Sequence, residues 1–269
     1  MTVAALEHVG MEPDPDEGES RTGGIPSVTK ALQLLEVFRG ADAALGVSTI
    51  ARLAGIPKST THRLLAYLEH AGYVEREGRG YALGRRLFEL GNSVRMCRPS
   101  GLREVAMPHL SQLFRQQGKV VHLGVLDGTE VVYLEKIFGL DSVRTPTIVG
   151  GRMPAPNTSL GKAMLAFSDR RTVSRALTSG LVRRTPYSHT QQGRLVAELR
   201  QARLERVAYD REEAQVGLVC AAAPILQEGR VVGAVSVSGR TTQINLPAMG
   251  REVRRAADAI SRDLAAPTA

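Results

Sequence analysis

Leu53-Ala54-Gly55-Ile56-Pro57-Lys58-Ser59-Thr60-Thr61-His62-Arg63-Leu64-Leu65 is the stretch that decides how this chain folds. Gly55 can close one helix in a left-handed conformation, Ile56-Pro57-Lys58 makes a tight turn, and Ser59 opens the next helix. The spacing predicts a short helix capped by Ser48, with Ile50, Ala51, Leu53 and Ala54 inward. It then predicts a helix from Ser59 to Ala71, stopped by Gly72. On that helix Thr61, Leu64, Leu65 and Leu68 share one face, and Ser59, His62, Arg63, Ala66 and His70 the other. Upstream, Ser27 caps a helix carrying Val28, Ala31, Leu32, Leu35 and Phe38, ended by Gly40. Downstream, Tyr73-Val74-Glu75-Arg76 and Tyr81-Ala82-Leu83 are β-like runs around the turn Glu77-Gly78-Arg79-Gly80.

Helix, helix, turn, helix, ribbon is the order of a winged helix-turn-helix. In such a module the polar start of the third helix enters the major groove. Lys58 is then placed for the DNA backbone, and Ser59, Thr60 and His62 for bases or phosphates. Arg63 can pair bidentately with guanine or hold a phosphate. Arg76 suits a phosphate, and Arg79 at the hairpin tip suits the minor groove. Any three-helix bundle has a polar face; the basic-tipped hairpin directly after the third helix is what favours DNA.

Composition agrees with this and narrows the rest. The 269 residues are 43% hydrophobic, which excludes global disorder and allows one large domain or two ordinary ones. No apolar run reaches the roughly 18 residues of a membrane span. Met1 to Ser20 holds six acids and no Lys or Arg, so it lacks a signal region, and a cytoplasmic protein is expected. Residues 1–24 read as a disordered acidic tail. Cys97 and Cys220 cannot form a disulfide framework or a structural zinc site, and the six His show no metal-ligand spacing. No cofactor or metal is expected. The net charge of +8 divides into −6 for residues 1–20, +7 for 21–103 and +7 for 104–269, which suits an acidic partner, nucleic acid first. Aromatics at 4% argue against a stacking platform for single strands.

Residues 25–84 are thus read as the winged domain and 85–101 as a linker helix and break. The helix runs from Arg85 to Met96, with Leu87, Leu90 and Val94 inward, before Arg98-Pro99-Ser100-Gly101. Residues 102–269 read as an α+β domain. Helices are predicted over Leu102–Gln117, Leu160–Ser168, Arg170–Leu177, Gln191–Arg206 and Pro247–Leu264. Strands are predicted over Val120–Leu126, Val131–Ile137 and Ser142–Val149, with a hairpin of Val216–Leu226 and Val231–Ser238 across Glu228-Gly229.

Several ordered motifs resemble the IclR family of bacterial transcription regulators. They are Ser27-Val28-Thr29-Lys30-Ala31-Leu32, Leu53 to Thr60, His62-Arg63-Leu64-Leu65 and Ala71-Gly72-Tyr73-Val74. Past the break come Val121-His122-Leu123, Gly151-Arg152-Met153-Pro154, Gly161-Lys162-Ala163 and Val235-Ser236-Val237-Ser238-Gly239. The resemblance covers roughly residues 25–265. It implies a GAF-like effector domain with an antiparallel sheet, a homodimer or homotetramer, and a palindromic double-stranded operator. The family usually has His where Asn157 stands, so the hydrogen bonding of that loop is expected to differ.

By the same resemblance, Ser159 and Leu160 would present backbone N–H groups to a small effector, an organic acid being expected. Asp210, Cys220, Ser236 and Ser238 would add polar contacts, and Met153 and Leu218 an apolar wall. Read alone, each has a plainer role: Cys220 as a small buried hydrophobe, Asp210 as a turn cap, the two Ser as a solvated strand face.

Enzyme motifs fail. Gly161-Lys162 cannot be a P-loop, because Ala163 lacks the magnesium hydroxyl and Pro156 replaces the first glycine. A Cys220–His122 thiol pair has no local support. The expected function is ligand-responsive DNA-binding regulation. The alternatives are a small-molecule enzyme with an accessory winged helix, or an architectural protein binding DNA by charge alone.

Overall fold

The computed structural model describes residues 26–41, 43–94, 97 and 101–265. The acidic tail lies outside the described residues, as do Arg95, Met96 and Arg98–Ser100. The chain divides into two compact units, Met1–Leu90 and Gly91–Ala269.

In the first unit, α1 (Ser27–Glu36), α2 (Val47–Ala54) and α3 (Lys58–His70) precede the antiparallel ribbon β1 (Val74–Glu77) and β2 (Gly80–Leu83). Leu34, Phe38, Ile50, Ile56, Leu64, Leu65, Val74 and Tyr81 form its core. Gly55 closes α2 at φ 66°, a left-handed value that glycine adopts without a Cβ clash. This turn sets the angle between α2 and α3. The helix starts differ from expectation by one or two residues. Pro26 and Gly46 occupy the cap positions, with no side-chain cap bond, in place of Ser27 and Ser48. Leu45 pairs with Tyr81 as an isolated bridge that braces the ribbon.

The linker helix is shorter than expected. α4 covers Arg85–Asn92 and buries none of its residues. Leu90 and Val94, expected inward, are exposed.

The second unit is a six-stranded sheet in the order β5-β4-β3-β8-β7-β6, antiparallel throughout. Its strands are β3 (Val120–Asp127), β4 (Glu130–Ile137), β5 (Arg152–Pro154), β6 (Ala208–Arg211), β7 (Leu218–Gln227) and β8 (Arg230–Arg240). Strand periodicity sends alternate side chains to opposite faces. Val121, Leu123, Ala221, Ala223, Val235 and Val237 meet α5 (Leu102–Gln117) and α9 (Leu246–Ala265) on one face. Ala208, Ala222 and Ala234 meet α6 (Ser159–Leu165) and α8 (Gln192–Glu205) on the other, with α7 (Arg170–Thr178) in the same cluster through Ala176. The fold is α+β, as expected. The β7–β8 turn at Glu228-Gly229 has positive φ at both residues, matching the right-handed twist of a hairpin.

Two expectations for this unit fail. Ser142–Val149 is irregular, not a strand. Pro146 interrupts it, and its polar groups are bound by side chains: Lys136 Nζ donates to Thr147 O at 2.6 Å. The short β5 takes the edge beside β4 instead. The four-residue β6 went unread because it directly follows a helix and has no alternation long enough to register.

Candidate nucleic-acid interface and ligand cavity

On the first unit, Lys58, Ser59, His62 and Arg63 are exposed on α3, and Thr60 is half-buried. Arg76 and Arg79 are exposed on the ribbon. The buried Thr61 donates its hydroxyl to Ile56 O at 3.3 Å, tying α3 to the turn before it. Among the described residues, Lys58, Arg63 and Arg79 form no ion pair. Arg76 differs: it lies 3.5 Å from Glu69 and stacks over the Tyr81 ring at 4.6 Å. That holds the guanidinium against the ribbon and leaves it less free than Arg79.

On the second unit, all eight sequence-predicted ligand residues line one cavity: Met153, Ser159, Leu160, Asp210, Leu218, Cys220, Ser236 and Ser238. Strand register brings the polar ones together. Asp210 on β6 faces Cys220 on β7, which faces Ser238 on β8. The neighbouring row pairs Ser236 with His122 of β3. Thr158 caps α6 by accepting from Gly161 N at 3.0 Å, which holds Ser159 and Leu160 at the cavity edge. Met153 and Leu218 are buried apolar walls. The cavity is nearly closed: about 20 Å³ is open to the centre of a water molecule, room for about one water.

Among the lining residues that sequence reasoning missed are His122, Tyr133, Thr145 and Thr147. His122 Nε2 shares a hydrogen bond with Thr147 Oγ1 at 2.8 Å, and its ring meets Tyr133 edge-on at 5.2 Å. The irregular segment is therefore latched over the cavity by β3. A histidine between Val121 and Leu123 on a strand was the available signal, since it points opposite to its apolar neighbours.

Below about pH 7 the titratable groups of the cavity are held in their neutral forms. Burial and the nearby Lys136 charge push His122 down to about 3, so its imidazole is neutral. Burial pushes Asp210 up to about 7; Glu213 adds to the rise, while Lys162 and the backbone N–H groups of Glu213 and Ala214 oppose it. Asp210 Oδ1 accepts from Glu213 N at 2.7 Å, so the turn-cap role holds too. Burial and the Asp210 charge push the Cys220 thiol up, with Ser238 across the strand pair and the Lys162 charge opposing the rise. His122 and Cys220 line the same space, yet an imidazole pushed down to about 3 is too weak a base to take the proton of a thiol that burial pushes up.

Asn157 sits outside the cavity lining, its Nδ2 donating to Val182 O at 3.0 Å. Lys162 holds no phosphate loop: it is fully buried and donates to Glu198 Oε1 at 2.8 Å and Glu213 Oε1 at 2.5 Å.

Comparison with known proteins agrees with both halves. The family model for the IclR helix-turn-helix domain matches residues 27–78. The model for the bacterial transcriptional regulator IclR C-terminal domain matches residues 95–262. The chain belongs to the IclR family. Its IclR relatives include the HTH-type transcriptional regulator XynR of Escherichia coli, 34% identical over 90% of this chain and 98% of that protein. The transcriptional repressor IclR of Escherichia coli is 31% identical over 83% of each. Among solved IclR structures, a homolog from Microbacterium hydrocarbonoxydans complexed with 4-hydroxybenzoate matches with a TM-score of 0.82. It is 28% identical and covers 89% of this chain and 99% of its own. The Thermotoga maritima IclR matches with a TM-score of 0.75, 28% identity and the same coverage. This IclR chain is a DNA-binding transcription regulator. None of its described helices is long and apolar enough to cross a membrane.

Proposed function

We propose that the protein binds a palindromic double-stranded operator as a homodimer or homotetramer in the cytoplasm. Residues 25–84 act as the DNA-binding domain, 85–101 as linker and 102–269 as effector domain. Lys58, Ser59, Thr60, His62, Arg63, Arg76 and Arg79 contact DNA. Exposed Val28 and Leu32 on α1 and Leu90 on α4 are apolar surface that a second copy would cover.

The effector, a small organic acid, binds among Met153, Ser159, Leu160, Asp210, Leu218, Cys220, Ser236 and Ser238. The observation that carries this reading is their convergence from five elements onto one buried cavity. No Lys or Arg lines it. A carboxylate is therefore received by hydroxyls and backbone N–H groups, with Asp210 in its neutral form. The bound 4-hydroxybenzoate of the Microbacterium homolog supports an acid of this kind. Because the resting cavity has room for about one water, the Thr145–Thr147 segment must yield on binding.

Effector binding then shifts the population of the regulator toward one state, changing operator affinity by the difference in binding energy and no more. The test titrates 4-hydroxybenzoate and other small organic acids into the protein–operator complex. An acid that binds tightly at the cavity, lost in Ser236→Ala, yet leaves operator affinity unchanged would falsify the reading.

A further inference from the structure

A buried ionic cluster lies beside the cavity wall. Lys162 of α6 donates to one oxygen of each of two carboxylates, Glu198 Oε1 and Glu213 Oε1. The other two oxygens turn toward a common neighbour. Glu198 Oε2 touches His189 Nε2, and Glu213 Oε2 lies 3.5 Å from the same nitrogen. Glu213 is 3% exposed, and its Oε2 is buried without a hydrogen-bond partner.

The cluster is one positive charge short: two carboxylates face one ammonium when His189 is neutral. A proton on His189 Nε2 supplies the charge but can serve only one oxygen. It bonds Glu198 and leaves Glu213 Oε2 orphaned. A divalent cation can satisfy all three atoms at once. The three ligand atoms lie within 4.8 Å of one another. Two ligands held 2.0–2.1 Å from a tetrahedral centre stand about 3.4 Å apart. The 3.5 Å between His189 Nε2 and Glu213 Oε2 matches that spacing, and the part-exposed Glu198 must draw its Oε2 back from His189 to complete it.

We propose that His189 Nε2, Glu198 Oε2 and Glu213 Oε2 bind a divalent transition-metal ion of the zinc type. One imidazole with two carboxylates suits such an ion, whereas calcium and magnesium take oxygen ligands alone. Lys162 stays on the outer carboxylate oxygens and fixes their orientation. His189 and Glu198 are 21% and 19% exposed, which gives the ion a path in and a fourth position for water. Glu213 N also donates to Asp210 Oδ1, so the ion would stiffen the turn that carries the ligand-facing carboxyl.

The test strips the full-length protein with a chelator. It then titrates Zn2+ by calorimetry and Co2+ by visible absorption, with neither effector nor DNA present. One ion per chain is expected, with cobalt bands of low-symmetry four- or five-coordination. His189→Ala and Glu198→Gln each lower affinity by about tenfold or more while circular dichroism stays native. Both residues are partly exposed, so these variants remain informative even if Glu213→Gln does not fold. Absence of stoichiometric uptake, or uptake unchanged in both variants, overturns the assignment. Neither result bears on operator binding.

Discussion

Asp210 and Cys220 stand opposite each other across the β6–β7 pair, and both line the ligand cavity. The carboxyl is 1% exposed, and burial lifts it from 3.8 to about 7. The folded state thus holds a proton that the unfolded chain releases above about pH 4. Asp210 contributes stability below that pH and loses it as pH rises through 7. His122 acts in the opposite sense. Its value falls from 6.5 to about 3, so its contribution is present above 6.5 and lost as pH falls toward 3. The two nearly cancel between about pH 4 and 6.5. Asp210→Asn should therefore leave stability rising with pH in that window, and His122→Gln should leave it falling. Each slope should approach about 1.4 kcal/mol per pH unit. Urea unfolding from pH 4.5 to 8 measures this; parallel profiles for both variants and wild type would contradict the assigned shifts.

The same carboxyl governs ligand binding. An organic acid that needs Asp210 neutral should lose affinity by about tenfold per pH unit above pH 7. In Asp210→Asn the profile should flatten. Calorimetric titration of 4-hydroxybenzoate, or of whichever acid binds, from pH 6 to 9 reads both outcomes. A wild-type affinity independent of pH would remove Asp210 from the acid's contacts.

On DNA, Arg63 and Lys58 should separate. Arg63→Ala should cost about 1–3 kcal/mol on the preferred sequence and relax preference at one position. Lys58→Ala should weaken all sequences evenly and reduce the salt slope by about one. Equal loss of selectivity from both variants, in binding assays at several salt concentrations, would refute the division.

Gly161 is a packing residue. A Cβ there would lie 2.2 Å from Ala155 O and 2.3 Å from Ala155 Cα. Gly161→Ala should destabilise the second unit by about 3 kcal/mol, because backbone on both sides must move. Denaturant midpoints measure the cost, and a near-neutral variant would mean that α6 shifts freely.

How far the sequence reveals this molecule depends on how local each signal is. Gly55, the α3 wheel and the Gly78-Arg79 turn are set by neighbours in the chain, and the winged unit was readable from them. The hairpin at Glu228-Gly229 was readable for the same reason. The eight cavity residues were reached by family resemblance, because the pairing of Asp210, Cys220 and Ser238 depends on long-range register. Thr145 and Thr147 were hidden by reading Ser142–Val149 as a strand. What holds that segment is the side chains of Lys136 and His122, and no local pattern records that. His189, Glu198 and Glu213 come from a loop, a helix and a turn, so their meeting leaves no spacing motif. The inward face expected of Leu90 and Val94 failed because helical periodicity marks an apolar stripe without saying what covers it.

The central claim is sequence-specific DNA recognition by α3 and the ribbon, and one measurement tests it most directly. Duplexes bound by the full-length protein are selected from a random pool at physiological salt. The account predicts recovery of two inverted half-sites, with the preference degraded in Arg63→Ala. Recovery of unselected sequence, with affinity vanishing as salt rises, would contradict it and leave binding by charge alone.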